Sequence, residues 1–339
     1  MTDTSPQKPK RVTIYDVAKE AGVAPSTVSR AFSRPGRVNA QTGQRIREAA
    51  NRLGYRTKPV SRIDQGEASN ILAFVVADIS NPVYAQIMRG FQSEATNNGY
   101  TVLLIDSQED DIAERKAIEN VLHLVDGVVL TSSRMSDSSI NQVVKVKPVV
   151  AVNRNTAGIP SIIPDVERGV EQAINQLHKL GHTRLTYLSG PPASWADGMR
   201  WRAVTDVCEK YGIHVRRIGP NTPYLEGGVE AAKVWLTQPT SAVIAYNDLL
   251  AVGFIKAIQR TGLDVPRDAS VIGFDNSMAS FLTTPTLSSI APPTAMLGVR
   301  AARALITQLR HRSAPSAETI VVPMKLFTRE SIGPASTFS

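Results

Sequence analysis

The chain has 339 residues, 42% of them hydrophobic and 20% charged, with a formal net charge of +8 and a single cysteine, Cys208. One cysteine excludes an intrachain disulfide framework, and no apolar run is long enough to span a bilayer. The charge is local: residues 1–62 hold 13 Lys and Arg against 4 Asp and Glu, a balance of +9, so the remainder is slightly acidic at −1. An excess confined to one small segment is an electrostatic footprint for a polyanion, which makes double-stranded DNA the expected partner.

Residues 1–11 read as a disordered basic tail, too polar for a secretory signal, so a cytoplasmic location and no membrane association are expected. Residues 12–57 read as three short helices. Thr13 can cap the first, with Asp16 at its third position; Ile14, Val17, Ala18 and Ala21 form its apolar face and Gly22 ends it. Pro25 suits the first turn of the second helix, whose buried stripe is Val28, Ala31 and Phe32 and whose other face is Ser26, Thr27, Ser29 and Arg30. A third can run from Asn39 through Ile46, Ala49, Ala50 and Leu53 to a cap at Gly54. Two helices joined through a Gly turn, the second presenting small hydroxyls and one arginine, suit insertion into a major groove. On spacing alone, the same pattern also fits a plain piece of a helical bundle.

The run DVAKEAGVAPSTVSRAF, then V-N-x-x-T, then a long helix ending in LGY, closely resembles the head of the lactose-repressor (LacI) family of bacterial transcription regulators. The resemblance implies base reading by Pro25, Ser26 and Arg30, phosphate contacts from Thr27 and Ser29, and backbone anchoring by Asn39 and Thr42. Thr13, Tyr15 and Tyr55 complete the DNA-facing residues expected of this head. The chemistry agrees for Arg30, since arginine is the commonest bidentate reader of guanine, whereas Pro25 offers only apolar contact.

Residues 58–70 are the expected hinge connector. In the family a short helix here pushes a leucine into the minor groove; this chain has Asp64 at that place, and a carboxylate there would face dense negative charge. The expectation is that Ile63 takes the wedge role in a shifted register, with Val60 and Arg62 as minor-groove contacts. A plain flexible linker is the competing reading.

From Ile71 onward the apolar runs ILAFVVA, TVLLI, GVVLT, PVVAV, RLTYLS, SAVIAY and SVIGF alternate with helical patterns, the signature of parallel sheets covered by helices. The length calls for two subdomains. By resemblance to the same family and to bacterial sugar-binding proteins, the effector-binding and dimerisation core is expected over 71–335. Its N-subdomain is placed at about 71–164 and 291–317, its C-subdomain at about 165–290 and 318–330, in a periplasmic-binding-protein-like arrangement behind an all-α helix-turn-helix head.

Ligands of open α/β sheets bind beyond the carboxyl ends of the strands, where this chain places Asp78, Asn81, Tyr84, Ser132, Ser133, Asn153, Arg154, Trp195, Arg200, Asn247, Asp248 and Asp275. Carboxylates and amides share the protons of a polyol, arginine donates a fork and an aromatic face covers C–H surface, so a sugar-like guest is expected. The family resemblance carries ligand roles to Asn81, Tyr84, Arg200, Asn247 and Asp275, with Tyr224 where a stacking aromatic often sits. The family's Gly-aromatic after the arginine is Ala203-Val204 here. Each position also has a structural reading: Arg200–Asp275 as an ion pair, Asn247 as a helix cap, Trp195 as loop packing. A neutral sugar, a sugar acid or a nucleoside could each satisfy Asp275, Asn247 and Arg200, an acidic guest favouring Arg154 and Arg200; a mono- or oligosaccharide is the first choice of effector and a nucleoside the second.

The five histidines show no metal-ligand spacing, and there is no Walker loop, dinucleotide fingerprint or acid–base set, so neither cofactor, metal nor enzymatic activity is expected. Cys208, in an apolar helical pattern, reads as a buried structural thiol. The stretch after Arg329 lacks leucine heptads, which favours a homodimer over a tetramer and, with two identical heads, a roughly palindromic operator. Two function classes compete: a ligand-responsive repressor, and a solute receptor or sugar enzyme carrying a basic head.

Overall fold

The computed structural model describes residues 12–33, 35–53, 55, 68–311 and 317–336. The expected cap Gly54, the tail and the hinge positions Val60, Arg62, Ile63 and Asp64 lie outside them. The chain divides into two compact units, Met1–Glu67 and Ala68–Ser339.

In the first unit α1 (Ile14–Ala21) opens with a capping box: the Thr13 hydroxyl accepts from the Asp16 amide at 3.4 Å, and the Asp16 carboxylate accepts from the Thr13 amide at 2.7 Å. Gly22 closes it in the left-handed conformation, φ +63°, which only glycine adopts without strain. α2 (Pro25–Ser33) starts on its proline and α3 (Ala40–Leu53) follows Asn39, whose side chain accepts from the Gln41 amide at 2.9 Å. Val17, Ala18, Ala21, Val28, Ala31, Ile46, Ala49 and Ala50 form one small core, with Phe32 and Tyr55 packed on its edge.

The second unit holds two six-stranded sheets. The first contains β1 (Ile71–Val76), β2 (Thr101–Asp106), β3 (Gly127–Thr131), β4 (Val149–Val152) and β5 (Ser161–Asp165), interleaved with α4 (Pro82–Asn97), α5 (Asp111–Val121) and α6 (Asp137–Val144). The chain then crosses at Asp165–Val166 into α7 (Val166–Lys179), β6 (Arg184–Leu188), α8 (Trp195–Lys210), β7 (His214–Ile218), α9 (Leu225–Trp235), β8 (Ala242–Ala245), α10 (Asp248–Gln259), β9 (Ser270–Phe274), α11 (Ala279–Leu282) and β10 (Ser288–Ala291). It returns through α12 (Thr294–His311) to β11 (Thr319–Pro323), and β12 (Lys325–Phe327) closes the second sheet. The strand orders are β11-β5-β4-β3-β1-β2 and β12-β10-β9-β8-β6-β7, parallel throughout except for the antiparallel β10–β12 pair.

The division between the lobes differs from the expected one at two places. Ala291 ends β10 in the second sheet, and 319–323, expected in the second lobe, pairs parallel with β5 in the first. The reason is α12: it packs on α4, β3, β4 and β5, so the strand that follows it completes a crossover in that same sheet. Three connections therefore cross between the lobes, at 165–166, 291–294 and 323–325.

α4 and α12 pack with their backbones almost touching. A Cβ on Gly90 would fall 2.0 Å from the Ala295 carbonyl oxygen, and one on Gly298 2.0 Å from that of Ile87. Gly90→Val should therefore destabilise the receptor by about 2–3 kcal/mol through overpacking, read as a lower urea midpoint with an unchanged slope. An unchanged midpoint would show that the helices separate at no cost.

Candidate functional site

In the head, α2 presents Ser26, Ser29 and Arg30 to solvent while Val28 and Ala31 hold its opposite face in the core. The Arg30 guanidinium folds back on its own helix, with Nε 3.3 Å from the Ser26 carbonyl and Nη2 3.5 Å from its hydroxyl, both at the long end of hydrogen bonding. Tyr15 is 70% exposed, as a side chain facing a partner would be. Thr13 is different: its hydroxyl is committed to the cap, where it also donates to Asp16 at 2.7 Å. Tyr55 packs against Phe32 with ring centroids 6.0 Å apart, and Thr42 and Pro25 are half-buried, so these three serve the head's own packing as well.

The receptor's candidate site follows from topology. β1 lies between β2 and β3, and β6 between β7 and β8, so each sheet reverses its winding there and the loops leaving those strands splay apart to form a crevice. Loops after β1, β3 and β4 in one lobe, and after β6, β8 and β9 in the other, line the cleft. All the described non-glycine residues with positive φ except Asn70 lie on loops that leave the carboxyl ends of strands, Gln108 and Glu109 after β2 and Ser132, Asn153, Ala193, Asp275 and Asn276 on the cleft loops. Backbone held in so sparsely populated a region costs on the order of 1–3 kcal/mol per residue and persists where function requires the geometry.

Asn81, Tyr84, Asn153, Arg200 and Asp275 come together on the inner cleft, joined by Tyr246. Asn81 caps α4 through the Val83 amide. Tyr84 is buried and hydrogen-bonded to Ser132, and burial followed by the neighbouring Tyr246 holds its hydroxyl well above the usual range. Asn153 donates its amide to the Ser132 hydroxyl at 2.8 Å, which fixes the amide and orients its carbonyl oxygen as the remaining acceptor. Arg200 donates from Nη2 to Asp275 at 3.0 Å and from Nη1 to the Tyr246 carbonyl, with its guanidinium 4.4 Å from the Phe274 ring centre and 4.8 Å from that of Tyr246. Burial raises the Asp275 carboxyl above its usual range against the opposing pull of Arg200. The inner space is about 30 Å³, room for a water or two and too little for a monosaccharide, so a guest enters only when the lobes part. Arg154 and Trp195 stand at a wider mouth of about 330 Å³, shared with Arg134 and Ser194.

Two expected ligand residues sit elsewhere. Asn247 is buried as the cap of α10, accepting from the Leu250 amide and donating to the Pro223 carbonyl, both at 2.9 Å, which leaves it behind the cleft wall. Tyr224 begins α9 and reaches across to the other lobe: burial and a hydrogen bond to Asp78 push its hydroxyl up to about 12, with Ser80 as a further partner. It joins the lobes. Next to Asn247, Asp248 is held between the Ser289 hydroxyl at 2.6 Å and the Ser277 amide at 2.7 Å, and burial next to Asp275 raises it to about 7.

Tyr246, Arg134 and Glu109 are the site residues that the strand-end rule passed over. Each lies within a few residues of a strand end, so the signal was present; their side-chain directions were not readable. Cys208 is buried, and burial pushes its thiol up to about 12, which makes it inert.

A helix-turn-helix head on the same chain as a two-lobed receptor is the make-up of a ligand-responsive, DNA-binding transcription regulator. Residues 13–58 match the model of bacterial regulatory proteins of the lacI family, and 174–332 that of a periplasmic binding protein-like domain. The HTH-type transcriptional repressor CytR of Escherichia coli (strain K12) is 31% identical over 317 residues, 91% of this chain and 93% of the relative. Catabolite control protein A of Priestia megaterium is 31% identical over 334 residues, 94% of this chain and 99% of the relative. The lac repressor dimer bound to operator and the anti-inducer ONPF shares the fold with a TM-score of 0.74 at 24% identity, over 95% of this chain and 99% of that one. The chain belongs to the LacI family of bacterial regulatory proteins.

Proposed function

We propose that this regulator represses genes for the uptake or catabolism of a neutral sugar, with a nucleoside as the second choice, and that it acts as a cytoplasmic homodimer on a roughly palindromic operator without catalysing a reaction. The observation that carries the reading is the convergence of Asn81, Tyr84, Asn153, Arg200 and Asp275 on one cleft in a chain whose other unit exposes Ser26, Ser29 and Arg30 on one helix. A solute receptor has no use for that helix. In this reading Ser26 and Arg30 read bases with Pro25 in apolar contact, and Thr27, Ser29, Asn39 and Thr42 contact the backbone. The relatives support the choice of guest: one is a ribose operon repressor, and a solved neighbour is a transcriptional regulator in complex with cellobiose.

The bond of Tyr224 to Asp78 ties the lobes together, so a guest that parts the lobes to reach Asp275 and Asn153 strains or breaks it. Binding thus trades one set of lobe-to-lobe contacts for another, and that difference is what a coupling of about 1–3 kcal/mol to operator affinity requires. Gel mobility shifts on the promoter region, with and without sugars and nucleosides, test the function. A retarded band whose intensity changes with one of them is expected; no band at low salt under any condition rules the reading out.

The second lobe offers a surface for dimerisation. Met278, Phe281 and Leu282 on and beside α11 are each more than half exposed, an apolar cluster that a second copy would cover. Leu282→Asp is expected to shift the protein towards monomer in sedimentation velocity and to weaken operator binding in parallel. A dimer that survives at micromolar concentration would place the interface elsewhere.

A further inference from the structure

The cleft carries three arginines, Arg134, Arg154 and Arg200, and a cation left over among them would mark the place of a phosphate or a carboxylate on the guest. None is left over. Arg200 is matched by Asp275. Arg154 is matched by Asp137 at 2.6 Å and spends its other terminal nitrogen on the carbonyls of Ser133 and Met135, at 2.9 and 2.5 Å, so it straps the loop after β3. Arg134, at the mouth, is matched by Glu109, which accepts from its Nε at 2.5 Å and also contacts its Nη2.

Of the two pairs at the mouth, Arg134–Glu109 is the more enclosed. The Arg134 side chain is 3% exposed, and its backbone amide is held from behind by Glu114, itself buried, at 2.9 Å. The hydroxyls of Tyr84 and Tyr246, which line the inner cleft, lie close enough to act on its charge. Glu109 is placed against it by two successive left-handed residues, Gln108 at φ +53° and Glu109 at φ +60°, and its amide is tied to the Ala77 carbonyl at 2.6 Å. Asp78 and Asp106 lie close enough for their charges to act on Glu109, so the neighbourhood has carboxylates to spare and no cation to share. An anionic guest would lose its hydration here and find each of the three guanidinium charges already paired with a carboxylate, which is the costly way to bury a charge.

We propose that Glu109 is a specificity-determining residue: by cancelling Arg134 at the mouth it closes the cleft to guests bearing phosphate or carboxylate and admits hydroxyl-rich guests without an anionic group. This deepens the reading of the cleft as the effector site and rests on it. Among the guests that the residue types allow, the sugar acid drops out, and the neutral sugar and the nucleoside stay.

The test uses the full-length protein and thermal unfolding with matched probes: glucose and glucose 6-phosphate, ribose and ribose 5-phosphate, cytidine and cytidine 5′-monophosphate, and inorganic phosphate against chloride at equal ionic strength. The wild type should show no stabilisation by phosphate or by any phosphorylated probe beyond the chloride control. Glu109→Gln, which leaves Arg134 unmatched, should bind inorganic phosphate at least about tenfold more tightly than the wild type, and Glu109→Gln combined with Arg134→Gln should lose that gain. A wild type stabilised by a phosphorylated probe as much as by its neutral partner would overturn the proposal, as would a folded Glu109→Gln with no gain in phosphate response. Should Glu109→Gln fail to fold, Glu109→Ala and the wild-type comparison decide. Failure of the cleft reading looks different: a neutral probe that stabilises the wild type would then stabilise Asp275→Asn equally, whatever the phosphate arms show.

Discussion

Replacing Arg200 by alanine is expected to cost the receptor about 3–5 kcal/mol and to abolish its response to the effector. Arg200 is almost wholly buried, between the rings of Phe274 and Tyr246, with Asp275 and the Tyr246 carbonyl as its partners. Its removal strands a buried carboxylate and a buried carbonyl at once, and among the described residues neither accepts a hydrogen bond from another side chain. For a receptor of this size the loss corresponds to a fall in Tm on the order of 10 °C. Part of the stability should return in the double variant with Asp275→Asn, because the amide needs no counter-charge, whereas the effector response should not return. Thermal unfolding of the two variants, each with and without the neutral probe that stabilises the wild type, separates the two roles. A fall in stability of less than about 1 kcal/mol would mean that water replaces the guanidinium freely and that the pair is not sealed.

The same pair shows what could be read in the sequence. Strand-end loops are recognisable from apolar runs followed by polar residues, so Asn81, Tyr84, Asn153, Arg200 and Asp275 are all legible in the sequence, and the structure brings them together. That Arg200 meets Asp275, 75 residues later, is a tertiary fact that spacing does not encode. Asn247 shows the opposite case. Its residue type and its place before a helix fit a cap and a ligand equally well, and the buried hydrogen bonds to Leu250 and Pro223 decide for the cap. Glu109 lies near a strand end, but the direction of its side chain depends on two left-handed backbone positions in a sequence without glycine, which no propensity argument selects. The strands tell a similar story. Buried runs such as β3 and β9 announce themselves, whereas β7, with a single buried residue in HVRRI, lacks the apolar signal of a central strand; β11 carries an apolar run in TIVVP, but its sheet is chosen by the helix before it.

In the head, the largest functional effect is expected from Arg30→Ala, which should lose about 1–3 kcal/mol of discrimination between operator and random DNA while leaving binding to random DNA nearly intact. Arg30 stands exposed on the last turn of α2, and its present contacts to Ser26, at 3.3 and 3.5 Å, are long enough to be exchanged for the paired acceptors on a guanine edge at little cost. Among the described residues no acidic side chain forms an ion pair with Arg30, so the exchange breaks none. The alternative role, a phosphate contact, has a different signature. Each neutralised phosphate adds about 0.9 to the slope of log K against log salt, and loss of such a contact weakens all sequences alike. Titrations of wild type and Arg30→Ala on operator and on scrambled duplex, at several salt concentrations, distinguish the two. For a base reader the slope stays the same and the operator curve alone moves; for a phosphate contact both curves move together and the slope falls by about one unit. Ser29→Ala serves as the internal comparison, since a hydroxyl donated to a phosphate should produce a small loss shared by both duplexes.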